Sequence, residues 1–276
     1  MHDQESPENL PDEPAVPKSA AGTDESAYSV LKNPDFSRYV IGRFVASLGQ
    51  QMLVVAIDWE LWKRTHSALS LAFVGMSLMI PMILCTIPAG HFADVFNRKK
   101  IILVTTVILA VVSTGLALIS YFAAPVFWIY ICLVILGAAR TFLWPASAAF
   151  VTGLVPMNQF ARAVTFNSGA FQLSSVIGPT AFGAVIAFTP HAEEHATAWS
   201  VYALNMVASI VCFALVVPIK HLHKTKPAEP VSIRSLVEGF RFVYQSKIIL
   251  GIITLDLFAV LLGGAVAILP MFAYEI

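Results

Sequence analysis

The chain has 276 residues, of which 57% are hydrophobic and only 12% are charged, and its formal net charge is zero. A soluble domain is typically about 45–50% apolar and about 25% charged, so this composition excludes an ordinary soluble globular protein. Zero net charge gives no basic surface for nucleic acid, and the three cysteines stand singly in apolar runs, without the spacing of a metal site or disulfide framework. We expect neither a metal nor a cofactor.

Residues 1–36 form a polar segment that is rich in Pro, Glu, Asp and Ser. Such a composition cannot bury enough apolar surface to fold, so we expect a disordered tail. The segment lacks the apolar centre of a cleavable signal peptide. The first membrane span is therefore expected to act as the targeting signal itself.

Seven long apolar runs follow the tail. They are expected to span the membrane at residues 39–61, 68–89, 101–122, 126–155, 163–188, 196–219 and 248–272. Each is long enough to cross about 30 Å of hydrocarbon as a helix, and none shows the alternation that barrel strands require. The sequence therefore predicts an all-α protein in a lipid bilayer.

The Lys and Arg residues near the span ends indicate the orientation, because cytoplasmic loops of membrane proteins are enriched in them. If the N-terminus is cytoplasmic, the outer side holds only Lys63 and Arg64. The inner side then holds Lys32, Arg38, Arg98, Lys99, Lys100, Arg162, Lys220, Lys224, Lys226, Arg234, Arg241 and Lys247. The sequence predicts a cytoplasmic N-terminus in the plasma (inner) membrane of the cell.

Two connections between spans carry patterns of their own. Residues 191–195, HAEEH, match the H-x-x-E-H pattern of inverted zinc proteases, but a short connection has no room for a catalytic domain. We expect a solvated outer loop there. Residues 220–247 are basic and place apolar residues near helical spacing, which predicts an amphipathic helix at the inner membrane surface. That helix either ties two halves together or has a lipid-binding or regulatory role.

The connection between spans two and three, GHFADVFNRKK, concentrates four charges and a glycine between two uncharged runs. Gly90 and Asp94 are four residues apart and share a helical face, with Arg98 four residues further on. Gly90 permits close approach of a neighbouring helix. Asp94 is placed to meet Arg98 or the positive N-terminus of another helix.

This connection resembles the signature turn of the major facilitator superfamily, G-x-x-x-D-x-x-x-R-K/R, in the position that the family gives it. The resemblance implies that Gly90, Asp94, Arg98 and Lys99 form a gate latch that contacts the other half of the transporter in one conformation. The stretches LGQQMLVVAIDWELWKRTHSALSLAFVGMSLMIPMIL and GAARTFLWPASAAFVTGLVP resemble the first, second and fourth helices of the drug and siderophore exporter branch.

The fifth span contains VIGPTAFGAVI, which resembles the antiporter motif with core G-P-x-x-G-G. Gly178, Pro179 and Gly183 match, whereas Phe182 stands where the first paired glycine is expected. The resemblance implies export by antiport. Independently of it, Pro179 beside Gly178 predicts a bendable helix that packs closely on a neighbour.

The resemblance also implies the major facilitator fold, in which twelve helices form two six-helix halves. Residues 37–219 would be the N-terminal six-helix half, 220–247 the cytoplasmic linker, and 248–276 the first helix of the C-terminal half. Twelve helices at this spacing need roughly 400 to 450 residues. We therefore expect the chain to be one half plus one helix.

Three of the charged residues in the apolar spans are candidates for the transport path. Arg140 and Asp256 are expected at comparable depth, and the resemblance implies that the fourth and seventh helices line the central cavity. Asp256 would carry the coupling proton, while Arg140 would favour its ionised form or bind an anionic group of the substrate; alternatively, each is a structural pair within its own half. Asp58, with Gln50 and Gln51, lines the outer substrate path or belongs to the interfacial belt.

The sequence favours a secondary transporter that exports a small amphipathic, drug-like or siderophore-like molecule by alternating access, with protons as the second partner. A non-transporting seven-span receptor or scaffold is the alternative, as is a non-functional truncated transporter. An enzyme is not expected, because the spans contain no cluster of His, Asp or Glu at one depth.

Overall fold

A computed structural model describes residues 27–188, 194–220 and 244–263. Within these ranges the chain is helical, and six helices are long and apolar enough to cross a membrane. The α-helices are α1 (Pro34–Thr65), α2 (Ala68–Val95), α3 (Arg98–Tyr121), α4 (Phe127–Leu154), α5 (Phe160–Phe188), α6 (Glu194–Val216) and α7 (Lys247–Gly263). Short 3-10 helices lie at Ala27–Lys32 and Met157–Gln159.

The first six predicted spans are confirmed, and several helices extend beyond their apolar runs. Helix α1 begins before the apolar run because Asn33 caps it: the Asn33 side-chain oxygen accepts hydrogen bonds from the amides of Asp35 at 3.0 Å and Phe36 at 3.4 Å. Pro34 occupies the first turn, where no backbone donor is needed. Helix α7 begins where the seventh span was predicted, and the rest of that span, residues 264–272, lies outside the described residues.

The end of the expected disordered tail differs from the sequence prediction. Residues 27–32 form a 3-10 helix, and the side chains of Val30 and Phe36 are 0% exposed in the hydrophobic core. These apolar residues gain enough burial against the bundle to order the segment that precedes α1. Residues 1–26 lie outside the described part of the chain.

The six long helices pack side by side in the order α5, α1, α6, α3, α4, α2. The row curls, so that α1 also touches α2 and α4. Loops alternate between the two ends of the bundle. We call the end that carries Asn97 the Asn97 end and the opposite end, which carries His66, the His66 end.

Close approaches and buried hydrogen bonds connect neighbouring helices. A methyl group built on Gly137 of α4 would lie 2.6 Å from the carbonyl oxygen of Leu78, so α2 and α4 touch through their backbones there. Asn205 of α6 donates a buried 2.7 Å hydrogen bond to the hydroxyl of Ser113 in α3. These contacts fix the order of the helices more specifically than apolar burial alone.

Among the six helices of the row, α2 and α5 lie at the edges and bury the fewest residues. Each has four buried residues, whereas α1 has a long buried face. Their remaining faces are open and largely apolar in this chain. The least buried helices are thus those at the two edges of the six-helix unit.

Two sequence patterns fall largely outside the described residues. The HAEEH pattern is described only from Glu194, where α6 begins. Of the range 220–247, in which an amphipathic helix was predicted, residues 221–243 lie outside the described residues. Within the described ranges, no group of three or more His, Cys, Asp or Glu residues could hold a metal ion.

Candidate functional site

A polar cavity lies between α1, α4 and α5. It has two adjoining chambers of about 390 Å³ and about 110 Å³. Both chambers are lined by Arg43, Ser47, Trp144 and Phe171, so they lie next to each other. The smaller chamber adds Gln50, Gln51, Arg140 and Leu143, and the larger adds Ser147, Ala148, Asn167, Ser168, Ala170 and Gln172.

Helical periodicity brings these side chains to one place. On α1, Ser47, Gln50 and Gln51 follow Arg43 by four, seven and eight residues, which is the spacing of a single helix face. Helix α4 repeats the arrangement, because Trp144 and Ser147 follow Arg140 by four and seven residues. The cavity therefore forms where the polar faces of α1 and α4 meet.

The cavity is positively charged. Arg43 and Arg140 both line the smaller chamber and are near enough to interact electrostatically. The Nε atom of Arg140 is buried and has no hydrogen-bond partner among the described residues. The ion pairs of the described residues join Arg38 to Asp35 and Arg64 to Glu60, so neither cavity arginine has one there.

An aromatic pair forms the apolar wall of the cavity. The rings of Trp144 and Phe171 meet edge to face, with their centroids 5.9 Å apart and their planes at 81°. A cavity that combines guanidinium groups, amides, hydroxyls and aromatic faces can hold a small amphipathic molecule. The polar groups would orient that molecule and the rings would contact its apolar part.

Of the three charged residues expected along the transport path, only Arg140 lines the cavity. Asp58 is half-buried on α1, seven residues beyond Gln51 and thus about 10 Å further toward the His66 end. Asp256 is exposed on α7 and is not among the residues that line the cavity. The described residues thus do not bring Arg140 and Asp256 together.

The charged turn is mostly helical, and its charges are arranged differently from the sequence prediction. Helix α2 continues to Val95, and Asn97 caps α3 by accepting hydrogen bonds from the amides of Lys99 at 3.0 Å and Lys100 at 3.4 Å. Arg98 therefore belongs to the next helix. The expectation that Arg98 continues the helical face of Gly90 and Asp94 was wrong, because the chain turns before reaching it.

The basic residues of the turn bind neighbouring helices within the bundle. Arg98 donates a 3.0 Å hydrogen bond to the carbonyl of Ala149 in α4. Lys99 donates to the carbonyls of Val217 at 2.6 Å and Ile219 at 2.8 Å, just after α6 ends. Asp94 is exposed and has no ion pair within the described residues. The turn thus holds three helices together, and its acid has no ion pair among the residues that the structure describes.

The residues of the antiporter-like stretch face in different directions. Gly178 is buried where α5 crosses α1, and a methyl group built there would lie 2.5 Å from Cβ of Gln51. Pro179 and Gly183 are exposed, and no atom lies within 4 Å of a methyl group built on Gly183. Phe182, which replaces an expected glycine, is 3% exposed and belongs to the core, so it fills space that a glycine would leave empty.

Arg43 was not identified as a site residue from the sequence. A single charge near the start of a span commonly lies at the membrane interface, so the sequence alone gave no reason to place Arg43 in a binding site. The available signal was the spacing of Arg43, Ser47, Gln50 and Gln51 on one face of an apolar helix. That face points toward Arg140 only in the folded bundle.

Comparison with known proteins gives relatives with transport functions. The chain is 26% identical over 234 residues to Macrolide efflux protein A of Streptococcus pyogenes, covering 84% of this chain and 54% of the relative. It is 24% identical over 237 residues to the Multidrug efflux pump Tap of Mycobacterium tuberculosis, covering 83% and 56%. It is 26% identical over 247 residues to the Enterobactin exporter EntS of Shigella flexneri, covering 87% and 57%.

The chain spans about half the length of these curated relatives. All three are transport proteins by name, in agreement with the expectation of a transporter rather than an enzyme. The family model of the Major Facilitator Superfamily matches residues 39–276, which include all six long helices except the first turn of α1. With its helical bundle, its charged turn between α2 and α3 and this match, the chain belongs to the major facilitator superfamily and is an integral membrane protein.

Proposed function

We propose that the protein is a secondary transporter that exports a small amphipathic molecule across the plasma membrane. The observation that carries the proposal is the cavity between α1, α4 and α5, which combines arginines and amides with the Trp144–Phe171 wall. The names of the relatives, which are efflux proteins and a siderophore exporter, support the direction of transport and the drug-like or siderophore-like class of substrate.

The Asn97 end faces the cytoplasm in this proposal. The support is the distribution of Lys and Arg along the sequence, which assigns twelve of them to the ends of predicted spans on that side and two to the other. Within this orientation α1 runs outward and α4 runs inward. The cavity then lies between the middle of the membrane and the cytoplasmic end of α1.

Alternating access is proposed to use the open faces of α2 and α5. These helices bury few residues in this chain and carry Gly90 and Gly183, with no atom within 4 Å of a methyl group built on either. A second helical unit can approach closely at such positions. The free carboxylate of Asp94 forms the gate contact with that unit, while Arg98 and Lys99 hold the turn rigid on α4 and α6.

Proton antiport is proposed as the energy source. The support is the stretch around Gly178, Pro179 and Gly183 and the presence of Asp256 in the apolar helix α7. An acid in a membrane span is costly unless it serves a path for ions or substrate. Asp256 takes up and releases the coupling proton.

Efflux from cells tests the proposal. Cells that express the full gene product are loaded with a panel of labelled macrolides, cationic dyes and siderophores, and the retained label is measured over time. At least one compound is expected to leave faster than from cells with an empty vector, and a protonophore is expected to abolish the difference. Equal retention of every compound at normal expression of the protein would contradict export.

A further inference from the structure

The two arginines of the cavity lack a counter-charge within the described part of the chain. Arg43 and Arg140 line the same small chamber, and no ion pair joins either of them to a described acid. Arg140 lies 13 residues into the 28-residue helix α4, about 20 Å from each end of it. A charge at this depth is expensive unless it is paired or solvated within a cavity.

The buried Nε of Arg140 strengthens the argument that this guanidinium needs a hydrogen-bonding partner in the cavity. It is inaccessible to solvent and makes no hydrogen bond to a described residue. A guanidinium presents five donors in a planar fork that fits a carboxylate or phosphate with two parallel hydrogen bonds. Arg43, which faces the same chamber, adds a second positive charge. The two side chains repel each other when the chamber holds no anion.

The rest of the cavity shows what the remainder of such a ligand would be. Trp144 and Phe171 offer an aromatic wall next to both arginines, and Gln50 and Gln51 add neutral hydrogen-bonding groups. An apolar or aromatic body would lie against the rings while its acidic group meets the guanidinium groups. The larger chamber, of about 390 Å³, has room for a body of several rings.

We propose that Arg43 and Arg140 jointly bind the acidic group of the transported molecule, so that the substrate class is an amphipathic, preferably aromatic, organic anion. The inference rests on the proposed function, because it names the substrate class of that same cavity. It assigns to Arg43 a direct contact with the ligand. The aromatic pair contributes affinity for any amphipathic body, whereas the arginine pair supplies the preference for the acid.

A matched pair of ligands tests the proposal without a transport assay. Naphthylacetate and its neutral counterpart naphthylacetamide have the same aromatic body and differ in the charged group. Their dissociation constants are measured by isothermal titration calorimetry, with the full gene product in nanodiscs of phosphatidylcholine. We expect the acid to bind at least about tenfold more tightly than the amide, since hydrogen bonds to a charged group are stronger than those between neutral groups.

Single substitutions then locate that preference. Arg43→Gln and Arg140→Gln are each expected to weaken binding of the acid about tenfold and leave binding of the amide unchanged, and Arg43→Lys is expected to retain part of the preference. Arg38→Gln is the matched control, because Arg38 lies on the same helix but its side chain is 48% exposed and pairs with Asp35 at 3.5 Å. It is expected to bind both ligands as the unchanged protein does.

Thermal unfolding distinguishes a ligand-binding role from a structural one. Without ligand, Arg140→Gln is expected to unfold at the same or a higher temperature, because it removes an unpaired buried charge. The stabilisation by naphthylacetate is expected to disappear in this variant. A variant that unfolds at a clearly lower temperature and weakens both ligands equally would assign Arg140 to structure and overturn the proposal.

Three further outcomes would also overturn it. These are equal affinity of the unchanged protein for acid and amide, binding of neither ligand at millimolar concentration, and displacement of naphthylacetate by phosphatidylglycerol in the nanodisc, which would assign the pair to a lipid headgroup. Failure of this inference differs from failure of export: a protein that expels neutral or cationic compounds and has no preference for acids retains the proposed function alone.

Discussion

Gly178 lies where α5 packs closely on α1. Alanine at this position would bring its Cβ to 2.5 Å from Cβ of Gln51 and 3.2 Å from the amide nitrogen of Met52, and α5 would have to move. Overpacking of this kind costs about 1–3 kcal/mol. We expect Gly178→Ala to lower the unfolding temperature in detergent, measured by a thermal shift assay.

Gly169→Ala is the matched control on the same helix, because its Cβ would meet no atom within 4 Å. It is expected to unfold at the temperature of the unchanged protein. Equal destabilisation by the two substitutions would show that helix propensity, and not the contact with α1, sets the requirement for glycine.

Asp94 is an exposed acid without a described ion pair, on a turn whose basic residues are engaged elsewhere. In the proposed function, its partner belongs to a second helical unit. We expect Asp94→Asn to reduce the rate of efflux by the full gene product at least about tenfold, because a charge-assisted contact is lost in one conformation. The amount of protein in the membrane is expected to stay constant.

Asp35→Asn provides the comparison, since Asp35 is an acid at the same end of the bundle that pairs with Arg38 at 3.5 Å. Its substitution is expected to leave efflux unchanged. Normal efflux by Asp94→Asn would show that Asp94 makes no contact that transport requires. An equal loss of efflux in both variants would indicate a general effect of charge at that end of the bundle.

The sequence could predict single unusual residues but not which of them meet. Arg140 is identifiable because a charge in a long apolar run is rare and costly. Its neighbour Arg43 comes from a helix almost a hundred residues earlier, and only the packing of α1 against α4 and α5 brings the two into one chamber. The predicted meeting with Asp256 was not found among the described residues, because Asp256 is exposed on α7.

At the scale of elements, Lys99 links the start of α3 to the end of α6. Its ammonium group binds two carbonyls that follow the last turn of α6, where backbone acceptors have no helical partner. We expect Lys99→Ala to lower stability by about 1 kcal/mol, after allowance for the partial exposure of the pair. Hydrogen exchange should become faster in the last turn of α6.

Lys100→Ala is the control, because Lys100 is exposed and its side chain makes no hydrogen bond to a described residue. It is expected to leave both stability and exchange in α6 unchanged. If Lys99→Ala also leaves exchange in α6 unchanged, the contact does not stabilise the end of that helix.

Helix positions were predictable because long apolar runs have few alternatives in a bilayer. The ends of the helices were less predictable, because α1 and α2 continue through polar residues that lie outside the apolar runs. The cap at Asn33 and the buried Val30 explain the order found before the first span. The links from Arg98 to α4 and from Lys99 to α6 required the packing order of the helices, which no local pattern specifies.

At the scale of the whole molecule, the orientation in the membrane can be tested with single cysteines. Cys85, Cys132 and Cys212 are first replaced by serine, and a cysteine is placed at Met157, which is 88% exposed at the Asn97 end, or at Phe122, which is 71% exposed at the His66 end. A membrane-impermeant maleimide added to intact cells is expected to label Phe122→Cys and spare Met157→Cys. The reverse pattern would invert the proposed topology.

The most direct test of the central claim is uptake into inside-out membrane vesicles, in which an exporter accumulates its substrate. Vesicles that contain the full gene product are energised to make their interior acidic, and a labelled amphipathic acid is added outside. We predict accumulation that a protonophore abolishes and that Arg140→Gln reduces at least about tenfold, by the loss of a charge-assisted contact with the substrate. Accumulation no greater than in vesicles without the protein, for acids and for every other compound of the panel, would contradict the account.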